Sequence, residues 1–139
     1  MKKFLSGSVE ETENIGEEFA KTLKSGDVVA MCGGLGAGKT AFVRGMAKHL
    51  CPDVLVTSPT FTIMLEYTGK YRVCHFDMYR ISTFDDLYNI GYFDCIDSDA
   101  ICIIEWSENI PFGLPDRYIK LTINALEDES REITAEEIK

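Results

Sequence analysis

Apolar positions along the chain fall into two helical stripes and several short runs of strand length, which is the pattern of an α/β protein. Ser8-Val9-Glu10-Glu11 has the spacing of a capping box, with Ser8 as N-cap and Glu11 reaching back, and Ile15, Phe19 and Leu23 recur at four-residue steps. This predicts a helix over residues 9–24, stopped by Gly26. Residues 27–32 form an apolar run of buried-strand length. Residues 41–50 read as a second helix with Phe42, Val43, Met46, Ala47 and Leu50 on one face. Cys51-Pro52 ends that pattern. Residues 61–67 and 71–77, separated by Thr68-Gly69-Lys70, read as an antiparallel hairpin, so the sheet is mixed. Thr83-Phe84-Asp85-Asp86 opens a short helix that ends by Gly91. Ile101-Cys102-Ile103-Ile104, the most apolar run in the chain, reads as a central strand ending at Glu105-Trp106. Residues 117–123 and 131–138 close the chain as strands around the polar turn Glu127-Asp128-Glu129.

Between the first strand and the second helix lies Gly33-Gly34-Leu35-Gly36-Ala37-Gly38-Lys39-Thr40, which fits the phosphate-loop (Walker A) pattern G-x-x-x-x-G-K-[ST] at every specified position. Glycines let the backbone wrap a polyphosphate closely enough for successive N–H groups to point inward. Lys39 supplies a mobile positive charge for the β- and γ-phosphates, and the Thr40 hydroxyl is placed to ligate Mg²⁺. The helix begins at the loop, so its unpaired N–H groups, that of Ala41 among them, and its dipole face the anion. The expected fold is therefore a P-loop NTPase-like three-layer α/β fold with a mixed central sheet flanked by helices, in one domain spanning residues 1–139. Val9 and Thr12, near the start of the first helix, are candidates for touching the nucleotide base.

Phosphoryl transfer also needs an acidic group at the end of a hydrophobic strand near the loop. Glu105 follows Ile101 to Ile104, and Asp77 follows Val73-Cys74-His75-Phe76. Glu105 is the expected Mg²⁺ partner, through a bound water, because its strand is the more fully apolar. Asp77 would then orient water or the switch region, with a secondary candidacy as metal ligand. His75 shares a strand face with Asp77 by two-residue alternation and reads as a hydrogen-bonded structural histidine. Trp106, the one tryptophan, adjoins Glu105 and is the natural fluorescence probe of occupancy.

Composition changes this picture in three respects. No apolar run in the 139 residues approaches the ~20 of a membrane span, and Phe4-Leu5 is too short for a signal sequence, so no membrane role is expected. The five cysteines, Cys32, Cys51, Cys74, Cys95 and Cys102, are odd in number and lack paired metal spacing, which suits reduced thiols in the cytoplasm. The formal net charge of −9 argues against broad nucleic-acid binding, which depends on neutralising many phosphates, so any RNA role is indirect. Asp85, Asp86, Asp94, Asp97 and Asp99 read as a solvated face.

Gly33 to Thr40, Ser58-Pro59-Thr60, His75-Phe76-Asp77-Met78-Tyr79-Arg80 and Glu105-Trp106, in this order and spacing, resemble the TsaE (YjeE) family of bacterial ATPases. The resemblance implies an ATPase required for threonylcarbamoyladenosine at position 37 of tRNAs reading codons that begin with A. It implies TsaB and TsaD as partners, with tRNA reached only through that complex. It further implies ATP and ADP as ligands, Thr40 and Glu105 at Mg²⁺, Asp77 needed for hydrolysis, Thr57, Ser58, Pro59 and Thr60 acting like a switch, and Arg131 and Glu132 near the nucleotide. The family usually carries Asp or Glu after the first loop glycine, where this chain has Gly34. Among rivals, a G protein is disfavoured because no Asn-Lys-x-Asp element exists. A small-molecule kinase and a nucleotide-dependent regulatory subunit remain; hydrolysis without an added acceptor separates them from an ATPase.

Overall fold

The computed structural model describes residues 1–33, 38–53, 56 and 64–139. These form one seven-stranded sheet in the order β1-β7-β6-β2-β5-β4-β3. Its strands are β1 (Lys2–Ser6), β2 (Val28–Cys32), β3 (Met64–Thr68), β4 (Arg72–Asp77), β5 (Ile101–Glu105), β6 (Tyr118–Ala125) and β7 (Arg131–Ile138). The helices are α1 (Val9–Ala20), α2 (Lys39–Leu50), α3 (Phe84–Asn89) and α4 (Tyr92–Ile96). β6, β2, β5 and β4 run parallel, while β7 and β3 are antiparallel to their neighbours at the two sides, which makes the sheet mixed as expected.

Alternation along the central strands divides the core into two layers. Val29, Met31, Ile101, Ile103 and Val73 face α1 and α2, where they meet Phe19, Leu23, Phe42, Val43, Met46 and Leu50. Val28, Cys74, Phe76, Cys102 and Ile104 face α3 and α4, where they meet Leu87, Tyr92, Cys95 and Ile110. The result is three layers. By the same alternation His75, Asp77 and Glu105 belong to the α1/α2 face, the face on which the phosphate-loop helix sits.

The boundaries depart from the sequence reading in informative places. α1 ends at Ala20 rather than at Lys24 because the N–H groups of Thr22 and Leu23 donate to Phe19 and Ala20 three residues back, and the Thr22 hydroxyl donates to the Phe19 carbonyl as well. Ser8 caps α1 by accepting from the Glu11 N–H, whereas the Glu11 carboxylate accepts from the Gly7 N–H instead of that of Ser8. Tyr71 stays outside β4 because its N–H donates to Leu50 O. Residues 61–63, expected in the first hairpin arm, lie outside the described residues. α3 is opened by a complete capping box between Thr83 and Asp86. Gly91, at φ 77°, then turns the chain into α4, a helix the sequence reading did not contain. Nor did it contain β1, which pairs with β7 from Lys2↔Ala135 to Ser6↔Arg131. No helix among the described residues is long and apolar enough to cross a membrane, and all five cysteines are free.

Candidate functional site

The C-terminal ends of the parallel strands β2, β5 and β4 place three chemical elements side by side: Gly33 after β2, Glu105 at the end of β5 and Asp77 at the end of β4. Gly38 is the N-cap of α2 at φ 103°, a left-handed conformation that glycine adopts without strain. Gly34, Leu35, Gly36 and Ala37 lie outside the described residues, as do Thr57, Ser58, Pro59 and Thr60. The Phe42 N–H donates to the Gly38 carbonyl, closing the first turn, so Lys39, Thr40 and Ala41 are the helix-opening positions whose N–H groups have no acceptor within the helix. The Ala41 side chain is in the core, which leaves its backbone N–H as the part open to a ligand. Thr40 is half-buried in the first turn.

Lys39 is only 6% exposed. Its Nζ donates to the Gly33 carbonyl at 2.7 Å and lies 3.6 Å above the centroid of the Trp106 ring. Burial pushes its pKa down, while Glu105, Glu108 and Asp77 pull it back up. The ammonium is thus held at the mouth of its own loop by a carbonyl and a π face, two weak substitutes for an anion. Trp106 reaches this position from a left-handed backbone, φ 58° and ψ 40°, directly after β5, and the Tyr79 ring packs on it at 5.0 Å between centroids.

Asp77 and Glu105 are register partners across β4 and β5. Glu105 is 4% exposed, and one of its oxygens, Oε2, accepts from His75 Nε2 at 2.5 Å. His75 is fully buried, and its Nδ1 meets the Tyr67 hydroxyl at 3.1 Å. Asp77 is half-buried, and its Oδ1 accepts from the Tyr79 N–H at 3.0 Å. Burial raises the pKa of Asp77 and the neighbouring Glu105 adds to this, whereas the Tyr79 N–H, His75 and Lys39 act in the opposite direction. Two carboxylates of one site therefore differ in setting, one anchored in the core and one at the rim.

The other sequence candidates divide. Arg131 and Thr12 converge on the loop: a Cβ at Gly38 would lie 3.9 Å from Arg131 Nε and 4.0 Å from Thr12 Cγ2. The Arg131 guanidinium donates through Nη1 to the carbonyls of Glu129 and Ser130. The buried Thr12 hydroxyl is committed to Ser8 O and Ser6 Oγ, so its methyl is what faces the loop. Val9 is 61% exposed at the start of α1. Glu132 alternates to the face opposite Arg131 and pairs with Lys3 at 3.6 Å. Three supporting residues escaped the sequence reading. Ser107 is buried and donates to Met31 O at 3.1 Å, tying the Trp106 turn to β2. Asn109 Nδ2 donates to the carbonyls of Met78 and Tyr79, fixing the segment after Asp77. Tyr67 seats His75. The polar run Ser107-Glu108-Asn109 after a buried strand was the signal available; Tyr67 offered none.

The donor set at the site is oxygen: the Thr40 hydroxyl and the carboxylates of Glu105 and Asp77. That suits a hard cation such as Mg²⁺. No group of three or more His, Cys, Asp or Glu side chains arranged to hold a metal exists among the described residues. An open groove of about 930 Å³ lies at the opposite end of the strands, lined by Lys24, Asp27, Arg117 and Glu137, and contains none of these groups.

Comparison with known proteins finds relatives in both sequence and fold. The family model described as "Threonylcarbamoyl adenosine biosynthesis protein TsaE" matches residues 6–133. The tRNA threonylcarbamoyladenosine biosynthesis protein TsaE of Treponema pallidum (strain Nichols) is 37% identical over 130 residues, covering 94% of this chain and 96% of that protein. The protein of the same name from Bacillus subtilis (strain 168) is 37% identical over 133 residues, covering 95% and 83%. A crystal structure of Bacillus subtilis YdiB superposes with a TM-score of 0.80 at 33% identity, covering 96% of this chain and 83% of that one.

Proposed function

The chain belongs to the TsaE family, and on that premise we propose that it binds ATP with Mg²⁺ between the phosphate loop and the Asp77/Glu105 pair and hydrolyses it. The work serves formation of threonylcarbamoyladenosine in tRNA, in the cytoplasm and together with TsaB and TsaD. The family supplies the tRNA-modification role. The nucleotide chemistry rests on one observation: Lys39 and two register-paired carboxylates occupy the same face and the same end of the parallel strands.

In this reading Lys39 exchanges the Gly33 carbonyl and the Trp106 face for the β- and γ-phosphates, a stronger, charge-assisted contact. The N–H groups at the start of α2 bind phosphate oxygens in the direction the helix dipole favours. Thr40 and Glu105 would hold Mg²⁺, Glu105 through a water; the ion's chemistry there is to neutralise charge on the phosphate oxygens. Asp77 accepts a hydrogen bond from the attacking water and orients it. Its raised pKa makes it a better proton acceptor than an ordinary aspartate. Arg131 and Thr12, which approach Gly38, are the more direct nucleotide-side candidates, and Val9 and Glu132 the less direct.

Calorimetry of ADP and ATP binding to Lys39→Ala tests the reading. Loss of the phosphate-facing charge is expected to weaken binding at least about tenfold, or about 1.4 kcal/mol. Equal affinity in Lys39→Ala and the parent chain, with equal turnover, would remove the loop from the function. Phosphate release with no added acceptor separates hydrolysis from transfer to a small molecule.

A further inference from the structure

Among the described residues, the chain Tyr67–His75–Glu105 joins three side chains that the sequence keeps up to 38 residues apart (105 − 67). Tyr67 is in β3, His75 in β4 and Glu105 in β5, so one polar thread crosses three adjacent strands on the α1/α2 face. His75 has no exposed surface, and Tyr67 and Glu105 are nearly as buried. Burying three polar groups in that layer carries a cost unless each is satisfied. Aliphatic side chains fill the neighbouring positions Val73, Ile101 and Ile103 of the same layer, so packing alone gives no reason for a histidine here.

We propose that His75, seated by Tyr67, is a positioning residue that sets the rotamer of Glu105 so that the carboxylate presents a fixed oxygen to the metal. This rests on the metal-side reading of Glu105 given above. The register supplies the geometry. Asp77, not His75, lies opposite Glu105, so His75 sits on the diagonal, two residues back along β4. Its Nε2 draws Oε2 inward at 2.5 Å, which leaves Oε1 as the oxygen for a ligand. A glutamate has three rotatable side-chain bonds, and burial alone does not decide which carboxylate oxygen is presented. A hydrogen bond from a fully buried ring removes that freedom before the ligand arrives.

The hydrogen-bond inventory also explains the tyrosine. A carboxylate offers only acceptors, which puts a proton on Nε2. When Nδ1 carries no proton it can accept the Tyr67 O–H, and the tyrosine then favours the tautomer that can hold Glu105.

The test is a Mg²⁺ titration of nucleotide binding in the full chain, read by Trp106 fluorescence and calorimetry, beside nucleotide affinity in EDTA and a thermal melt. Four variants are compared: His75→Leu, His75→Gln, Tyr67→Phe and Glu105→Ala. His75→Leu is expected to raise the half-saturating Mg²⁺ about tenfold, the scale of losing an outer-shell partner, with EDTA affinity unchanged. His75→Gln, whose amide N–H replaces Nε2–H, restores most of the parent value, and Tyr67→Phe shifts it in the same direction as His75→Leu by less. His75→Leu with the parent's Mg²⁺ dependence overturns the proposal. So do equal shifts in His75→Leu and His75→Gln that track lowered stability or EDTA affinity, because they mark a packing role. If Glu105→Ala itself matches the parent chain, the metal-side reading fails, and the inference falls with it; if Glu105→Ala shifts and His75→Leu does not, only the inference falls.

Discussion

At the scale of single residues, the site is built from side chains whose burial works against stability. Asp77 has its pKa raised, mainly by burial and then by Glu105, with the Tyr79 N–H only partly offsetting them. For an aspartate whose folded-state pKa lies above its unfolded value, the folded state binds the proton more tightly. Ionisation then costs stability, and that cost is present at neutral pH and disappears as pH falls through the folded value. Asp77→Asn keeps an acceptor for the Tyr79 N–H and removes the charge. We expect it to melt above the parent chain at neutral pH in the absence of nucleotide and Mg²⁺. The gap should narrow on acidification, and ATP hydrolysis should be lost with nucleotide binding nearly intact. Melting curves across acidic to neutral pH, beside phosphate-release assays, check both halves; a neutral-pH melt below the parent's contradicts the first. Lys39 shows the same conflict in a base, since burial lowers its pKa and the charged form is the one the phosphates need. Stability given up at both positions is what a site prepared for a charged ligand requires.

At the scale of elements, the start of α2 depends on how closely α1 approaches it. A Cβ at Gly45 would run into the Glu13 carbonyl, and one at Gly16 into the Phe42 carbonyl. The two glycines thus let the helix backbones touch, which brings Thr12 beside Gly38. Salt bridges from Arg44 and Lys48 to Glu13 flank the contact. Gly45→Ala, although favourable by helix propensity, is expected to destabilise by about 1–3 kcal/mol through forced backbone separation. Urea unfolding with an unchanged slope measures this, and a gain in stability would show that the contact is loose. Neither glycine announced itself in the sequence, where it reads only as a weak helix position. The same limit explains β1 and α4. Lys2-Lys3-Phe4-Leu5-Ser6 has little alternation of its own and becomes a strand because β7 offers an edge. Tyr92-Phe93-Asp94-Cys95-Ile96 is too short for a helical period to register. α2 and β5, with long stripes or unbroken apolar runs, were legible almost to the residue.

For the whole molecule, what the sequence revealed of the site is its local part: a loop with its lysine, and two carboxylates each ending an apolar strand. What it did not reveal is tertiary, because His75 meets Tyr67 and Glu105 and Trp106 covers Lys39 only once the sheet has formed. That tertiary picture bears on how fast the site turns over. Arg44 pairs with Glu13 and Arg72 with Glu66, Arg117 lines the groove at the far end of the strands, and Arg80 is exposed. Arg131 stands by the loop but donates to the carbonyls of its own turn. In the proposed reaction, charge developing on the transferred phosphoryl group would be opposed by Lys39 with little help from arginine, although an arginine supplied to a P-loop site is worth ~10³ to 10⁵ in rate. We predict slow ATP hydrolysis by the isolated chain and acceleration of at least about tenfold when TsaB and TsaD are added together. The partners must bind the nucleotide-loaded form with different affinity from the empty one, since only differential affinity shifts a conformational equilibrium. Phosphate release at saturating Mg²⁺ across a titration of the pair, with complex formation followed independently, decides the matter. A rate that stays flat while the complex forms would mean that the catalytic apparatus is complete within this chain.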